Sequence, residues 1–220
     1  MPSLVGSEMC IRDRDMTNMI GNIIVRDGIV RMQGINFDML GGNIGMDGEY
    51  NAQDLAKPSF DYKLNIKNLA FKDAYTAFGT VQKFAPSAKN IDGVFSTNFA
   101  VSGGLEQDMM PVYETMSGGG LINIANAQLK NLTSLQKVSS ALKLKKDVSN
   151  SKVANLILNA KIENGRLMLE PFDVNLMGMK TNVVGSTGMD GTIDYKMAMD
   201  VPAGETLSLI HISEPTRLGM

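Results

Sequence analysis

Long stretches of this chain alternate strictly between apolar and polar residues, and Asp-Gly or Asn-Gly pairs punctuate them. A side-chain period of two belongs to a strand with one buried and one wet face, and those dipeptides favour two-residue hairpin turns. The pattern predicts an antiparallel meander, polar on one face and apolar on the other. Phe60, Tyr62, Leu64 and Ile66 alternate with Asp61, Lys63, Asn65 and Lys67. Asn22–Arg26 and Ile29–Gln33 flank Asp27-Gly28, so a two-residue loop pairs Val25 with Val30 and Ile23 with Met32. Phe95, Thr97, Phe99 and Val101 repeat the pattern after Asp92-Gly93, and Leu158, Ala160 and Ile162 face Leu167 and Leu169 across Asn164-Gly165. Phe172, Val174 and Leu176 follow Pro171, and Ile193, Tyr195, Met197 and Met199 close the series.

Two helices are expected within the sheet. Phe71, Ala74, Tyr75, Phe78, Val81 and Ala85 form a helical stripe that stops at Pro86. Leu132, Leu135, Val138 and Leu142 form a second, with Asn131 as N-cap and Lys143, Lys145 and Lys146 near the C-terminal end of the dipole. A short turn is expected around Pro111, within Leu105–Met116. Gly45-Met46-Asp47-Gly48 recurs as Gly188-Met189-Asp190-Gly191, each copy ahead of an alternating strand with a Tyr-Lys pair, and two copies do not make a solenoid. The fold class is thus mainly β with two short helices (α+β), a curved antiparallel meander or groove with one apolar face. About ten strands at ~4.8 Å spacing make a sheet ~45 Å wide. A 14-residue helix is only ~21 Å long. Two such helices leave part of the apolar face to curl on itself, meet further protein or hold something apolar.

The ends carry a different signal. Leu4–Asp13 can be encoded by a DNA string whose reverse complement, shifted by one base, encodes Ser208–Arg217, and the string resembles a transposase-type library adapter. Residues 1–14 and 206–220 are therefore expected to be adapter-derived, leaving 15–205 as one β-rich internal fragment of a longer protein. Arg12, Arg14 and Arg217 are offset by Glu8, Asp13 and Glu214, so the remaining chain keeps the net charge of −2. That balance supplies no basic field for nucleic acid.

The only cysteine, Cys10, and the only histidine, His211, lie in those ends. Without them, the common nucleophile–base pairs and most transition-metal sites are missing from 15–205, and no cofactor is expected. Ser139-Ser140-Ala141-Leu142-Lys143 holds the parts of a Ser-Lys catalyst but reads as the wet face of the second helix. Gly118-Gly119-Gly120 lacks a following Gly-Lys-Ser/Thr and leads into a strand, so it is no phosphate loop. An enzyme is not expected.

One resemblance covers roughly Asp15–Pro202. Met109-Met110-Pro111, Ser117–Gly120, the Leu132–Leu144 helix, Ile162-Glu163-Asn164-Gly165-Arg166-Leu167, Pro171-Phe172-Asp173-Val174, Gly185-Ser186-Thr187-Gly188 and Ile193-Asp194-Tyr195-Lys196 follow one another in an order that resembles the C-terminal region of the AsmA family of bacterial envelope proteins. The resemblance implies a periplasmic β-rich body, an inner-membrane anchor outside this fragment, a role in outer-membrane biogenesis and lipid homeostasis, and phospholipid or another envelope lipid as partner, with further envelope proteins. It implies no catalytic residues. The candidate acyl-chain contacts are Ile23, Val25, Phe60, Tyr62, Leu64, Ile66, Phe95, Phe99, Ile193, Tyr195, Met197 and Met199, and Lys143, Lys145 and Lys146 are candidates for the headgroup. The alternative is a structural or adhesion-like β scaffold that binds proteins and no lipid.

Overall fold

A computed structural model of the chain describes residues 7–10, 15–130, 150–176, 178–200 and 210–214. They form a mainly antiparallel β structure with two short α-helices. The strands are β1 (Ser7–Cys10), β2 (Asp15–Arg26), β3 (Ile29–Met39), β4 (Gly42–Asn51), β5 (Ser59–Ala70), β6 (Ile91–Leu105), β7 (Pro111–Lys130), β8 (Asn150–Glu163), β9 (Arg166–Leu176), β10 (Met179–Gly188), β11 (Ile193–Met199) and β12 (Ile210–Glu214). Each hydrogen-bonds to its neighbours in sequence, giving the meander order β1 to β12. The chain divides into two compact units. Unit 1 holds Met1–Ala70, Phe95–Ile122 and Ala160–Gly165; unit 2 holds Phe71–Val94, Asn123–Asn159 and Arg166–Met220. Strands β6, β7 and β8 contribute residues to both.

In unit 1 the β2–β3 hairpin has the register its sequence dictates: Val25 pairs with Val30 and Ile23 with Met32. Asp27 and Gly28 both take positive φ, 52° and 76°, as a two-residue type I′ turn requires. Leu40 and Gly41 build the same kind of turn between β3 and β4, with φ of 54° and 72°. A leucine in that conformation is costly and carries no sequence signal, so this hairpin is not legible in advance.

Apolar rows then run across the strands. Val30 faces Tyr50 and Tyr50 faces Phe60; Ile35 faces Met46 and Met46 faces Leu64; Phe37 faces Ile44 and Ile44 faces Ile66. Bulges keep those side chains on one face despite shifts in their sequence parity. An extra residue at Gln33-Gly34 moves the apolar set of β3 from Val30 and Met32 to Ile35, Phe37 and Met39. In β5, Asn68 takes a φ of 53° between Ile66 and the buried Leu69.

The same devices recur later in the chain. Asn164 and Gly165, which belong to unit 1, turn β8 into β9 with positive φ at both positions. In β9 the apolar parity switches from Leu167 and Leu169 to Phe172, Val174 and Leu176. The register of β9 on β10 shifts at that point, so Glu170-Pro171 forms a bulge within one continuous strand. A proline has no N–H to donate and fits such an interruption.

Several local expectations are corrected. The stripe from Phe71 to Ala85 is not one helix: α1 (Phe71–Ala77) and α2 (Gly79–Phe84) are separated at Phe78, whose backbone is extended. Gly79 directly after it is a poor helix former, and a 3₁₀ turn (Pro86–Asn90) follows. Asp92-Gly93 lies inside β6, not ahead of it, and the turn near Pro111 is residues 106–110, with β7 starting at the proline. The two Gly-Met-Asp-Gly copies are not equivalent, since the first is internal to β4 and the second leads out of β10 into a turn. The expected helix at 132–144 lies outside the described residues.

Candidate functional site

The candidate face in unit 1 is built from alternate residues of four consecutive strands. Phe60, Tyr62, Leu64 and Ile66 line up along β5, and Asp61, Lys63, Asn65 and Lys67 are exposed on the reverse. Ile23 and Val25 extend the face through their partners on β3. Tyr50, Met46 and Ile44 of β4, which are not among the candidates that alternation picks out, bridge β3 and β5. Glycines at 42, 45 and 48 obscured the alternation of β4.

Gly48 sits opposite Tyr62. A Cβ on Gly48 would run into the Asp61 carbonyl and the Tyr62 ring, so only glycine lets this ring lie against the neighbouring backbone. Tyr62 also stacks on Phe60, with ring centroids 5.6 Å apart. Burial, and secondarily Tyr50, raise the Tyr62 phenol above its ordinary value.

Cover over this face is uneven. Met16, Met39 and Leu69 are buried at one end, with Leu69 only 1% exposed, and Phe60 is buried at the other. Ile23, Val30, Met32, Met46, Tyr50, Tyr62, Leu64 and Ile66 are half-buried, and Val25 is 73% exposed. Phe95 and Phe99 are half-buried on β6.

The remaining candidates, Ile193, Tyr195, Met197 and Met199, lie in unit 2 on β11. Met199 is buried and the other three are half-buried. Tyr195 repeats the glycine device with Gly185 as its cross-strand partner, and its hydroxyl is 3.0 Å from Thr187 Oγ1. Burial raises its phenol above the ordinary value, opposed by that hydrogen bond. The helix α2 packs on β10, where Met179, Thr181 and Val183 are buried. Lys143, Lys145 and Lys146 lie outside the described residues.

The opposite face of unit 1 is hydrophilic and hollowed. A cavity of about 740 Å³ has Asn36, Asn43, Asp47, Lys63, Asn65, Lys67 and Asn98 among its walls. The apolar-face residues it touches, Ile35, Met46, Leu64 and Phe99, each sit between two other wall residues of their own strand. This cavity therefore belongs to the polar face. Asn36 and Asn43 exchange side-chain hydrogen bonds at 3.1 and 2.9 Å, and Asn43 also donates to Asp38 at 2.8 Å. Asn18 donates to the second Asp38 oxygen at 2.7 Å, and these two amides hold the carboxyl below its usual value. Satisfied amide pairs of this kind stiffen a surface and perform no acid–base chemistry.

Among the described residues no group of three or more His, Cys, Asp or Glu can hold a metal ion, and no helix is long and apolar enough to cross a membrane. No known protein family, curated protein or solved structure matches the chain.

Proposed function

We propose that this chain is a non-enzymatic, lipid-handling segment of an AsmA-like envelope protein, which holds phospholipid acyl chains against the apolar face of its sheet. The observation that carries the reading is the incomplete cover of the unit 1 face, where Ile23, Met32, Met46, Tyr50, Tyr62 and Leu64 are only partly covered. An open apolar face of this kind favours an apolar partner, and an acyl chain gains roughly 0.8 kcal/mol for each buried CH₂. A periplasmic setting, an inner-membrane anchor and a role in outer-membrane biogenesis are what the AsmA resemblance implies. A protein-binding scaffold is the competing reading, favoured by the cavity on the polar face.

Native mass spectrometry of the purified protein tests the proposal, together with uptake of a fluorescent phospholipid. Co-purifying phospholipid, or saturable uptake, is expected. A protein free of lipid that also takes up none contradicts it.

A further inference from the structure

Three loops at one end of unit 1 expose large apolar side chains. Val25 stands beside the β2–β3 turn, Leu55 in the β4–β5 loop is 78% exposed, and Met109 and Met110 in the β6–β7 loop are 54% and 53% exposed. The loops are tied side by side: Ala52 N donates to the Gly28 carbonyl and Leu105 N to the Pro58 carbonyl, both at 2.8 Å. Their tips are held rather than loose. Asp54 Oδ1 accepts from Ala56 N at 2.9 Å beneath Leu55, and Asp108 Oδ1 accepts from Met110 N at 3.0 Å. Scattered exposed leucines and methionines are ordinary, but a row of them on adjacent fixed turns is a surface that favours an apolar partner.

Two further observations choose that partner. First, on β2 to β4 cover over the apolar face thins toward this same end, from the buried Met39 and Ile44 to the half-buried Tyr50 and the exposed Val25, while Phe60 of β5 stays buried beside Gly103. Tyr50 and Tyr62 there have the apolar body and polar tip suited to the boundary of a bilayer. Second, Asp27, Asp54, Glu106 and Asp108 outweigh Arg26 and Lys57 on these loops, which disfavours an anionic surface. We infer that this end of unit 1 docks on the surface of a near-neutral phospholipid bilayer, with the loop tips inserted among the headgroups, and forms the mouth through which acyl chains reach the apolar face. The inference deepens the proposed function and rests on it for the passage of lipid, but the docking stands apart.

The test uses the full 220-residue chain and two probes. Neutral phosphatidylcholine vesicles, sedimented, read docking; dihexanoyl phosphatidylcholine below its micelle concentration, followed by native mass spectrometry, reads occupancy of the face without a bilayer. Leu55→Asp combined with Met110→Asp alters exposed tips only, and an unchanged circular dichroism spectrum checks the fold. The parent should sediment with vesicles, and the double variant should lose at least ~tenfold in partitioning, as expected when two apolar side chains no longer insert. Leu121→Asp, at an exposed position on β7 away from these loops, should partition as the parent does. All three should bind the soluble lipid alike.

Equal partitioning of parent and double variant, or a parent that ignores vesicles, overturns the docking. So does self-association of the parent that the double variant abolishes, because the tips then serve a second copy. If docking depends on the tips but the parent ignores the soluble lipid, the docking is supported and the lipid-holding reading fails.

Discussion

Leu69 and Leu64 lie on one strand, β5, and among the apolar residues of one face, yet Leu69 is sealed and Leu64 is half-open. Unit 2 repeats the contrast on β11, where Met199 is buried and Met197, two residues earlier on the same face, is not. Alternation decides which face a side chain takes. What lies over that face decides whether the side chain is core or surface, and strand sequence alone carries no record of it.

The contrast predicts graded responses to substitution. Met199→Asp should cost on the order of 3–5 kcal/mol, as an unpaired buried charge does. Met197→Asp should leave the circular dichroism spectrum intact while weakening lipid uptake, because water reaches a half-covered carboxylate. Two variants that unfold alike would erase the distinction in unit 2. In unit 1, Leu69→Ala should destabilise by about 2–5 kcal/mol in urea denaturation. Leu64→Ala should cost about 1 kcal/mol, since less of its surface is withdrawn from water. Equal losses would mean that β5 is covered evenly along its length.

A smaller effect comes from Asp92 in unit 2, whose carboxylate bridges Lys72 of α1 and Lys130 of β7. Hydrogen bonds from Lys130 and then Lys72 lower its proton affinity in the folded state. A depressed folded value means that the contribution is present above the unfolded value of about 3.9 and is lost as pH falls through the folded one. Asp92→Asn should therefore be less stable than the parent at neutral pH, with the gap closing below pH ~4. A gap independent of pH would show that the amide disturbs packing instead.

The least effects belong to the ends of the sequence and to the polar face. Removing residues 1–14 and 206–220 should change stability by no more than about 1 kcal/mol, although β1 pairs with β2 and β12 with β11. Lys63→Ser, on the polar face beside Leu64, should change it by under ~0.5 kcal/mol. A large loss in either case would show that those residues help hold the fold together.

Much of the meander was legible from its residues. The Val25–Val30 and Ile23–Met32 register, the Asn164-Gly165 turn and the alternating faces of β5 and β11 follow from period and turn chemistry alone. β4 was hidden by glycines that let Tyr62 pack against its backbone, and the Leu40-Gly41 turn by a leucine in a glycine's conformation. Helical periodicity across Phe71–Ala85 is real, but Phe78-Gly79 breaks it, a local cost that the stripe does not display. Alternation alone picks out the candidate side chains on β2, β5 and β6 of unit 1 and, separately, those on β11 of unit 2. The bridging strand of the unit 1 face and its uneven cover were not legible, because both depend on neighbours distant in sequence.

Cross-linking with a phospholipid that carries a photoactivatable group on its acyl chain tests the central claim most directly. Adducts mapped by mass spectrometry should fall on Met46, Tyr62, Leu64 and their neighbours on the apolar face of unit 1. Adducts confined to Lys63, Asn65 and Lys67 on the reverse of the same strand, or none at all, would contradict it.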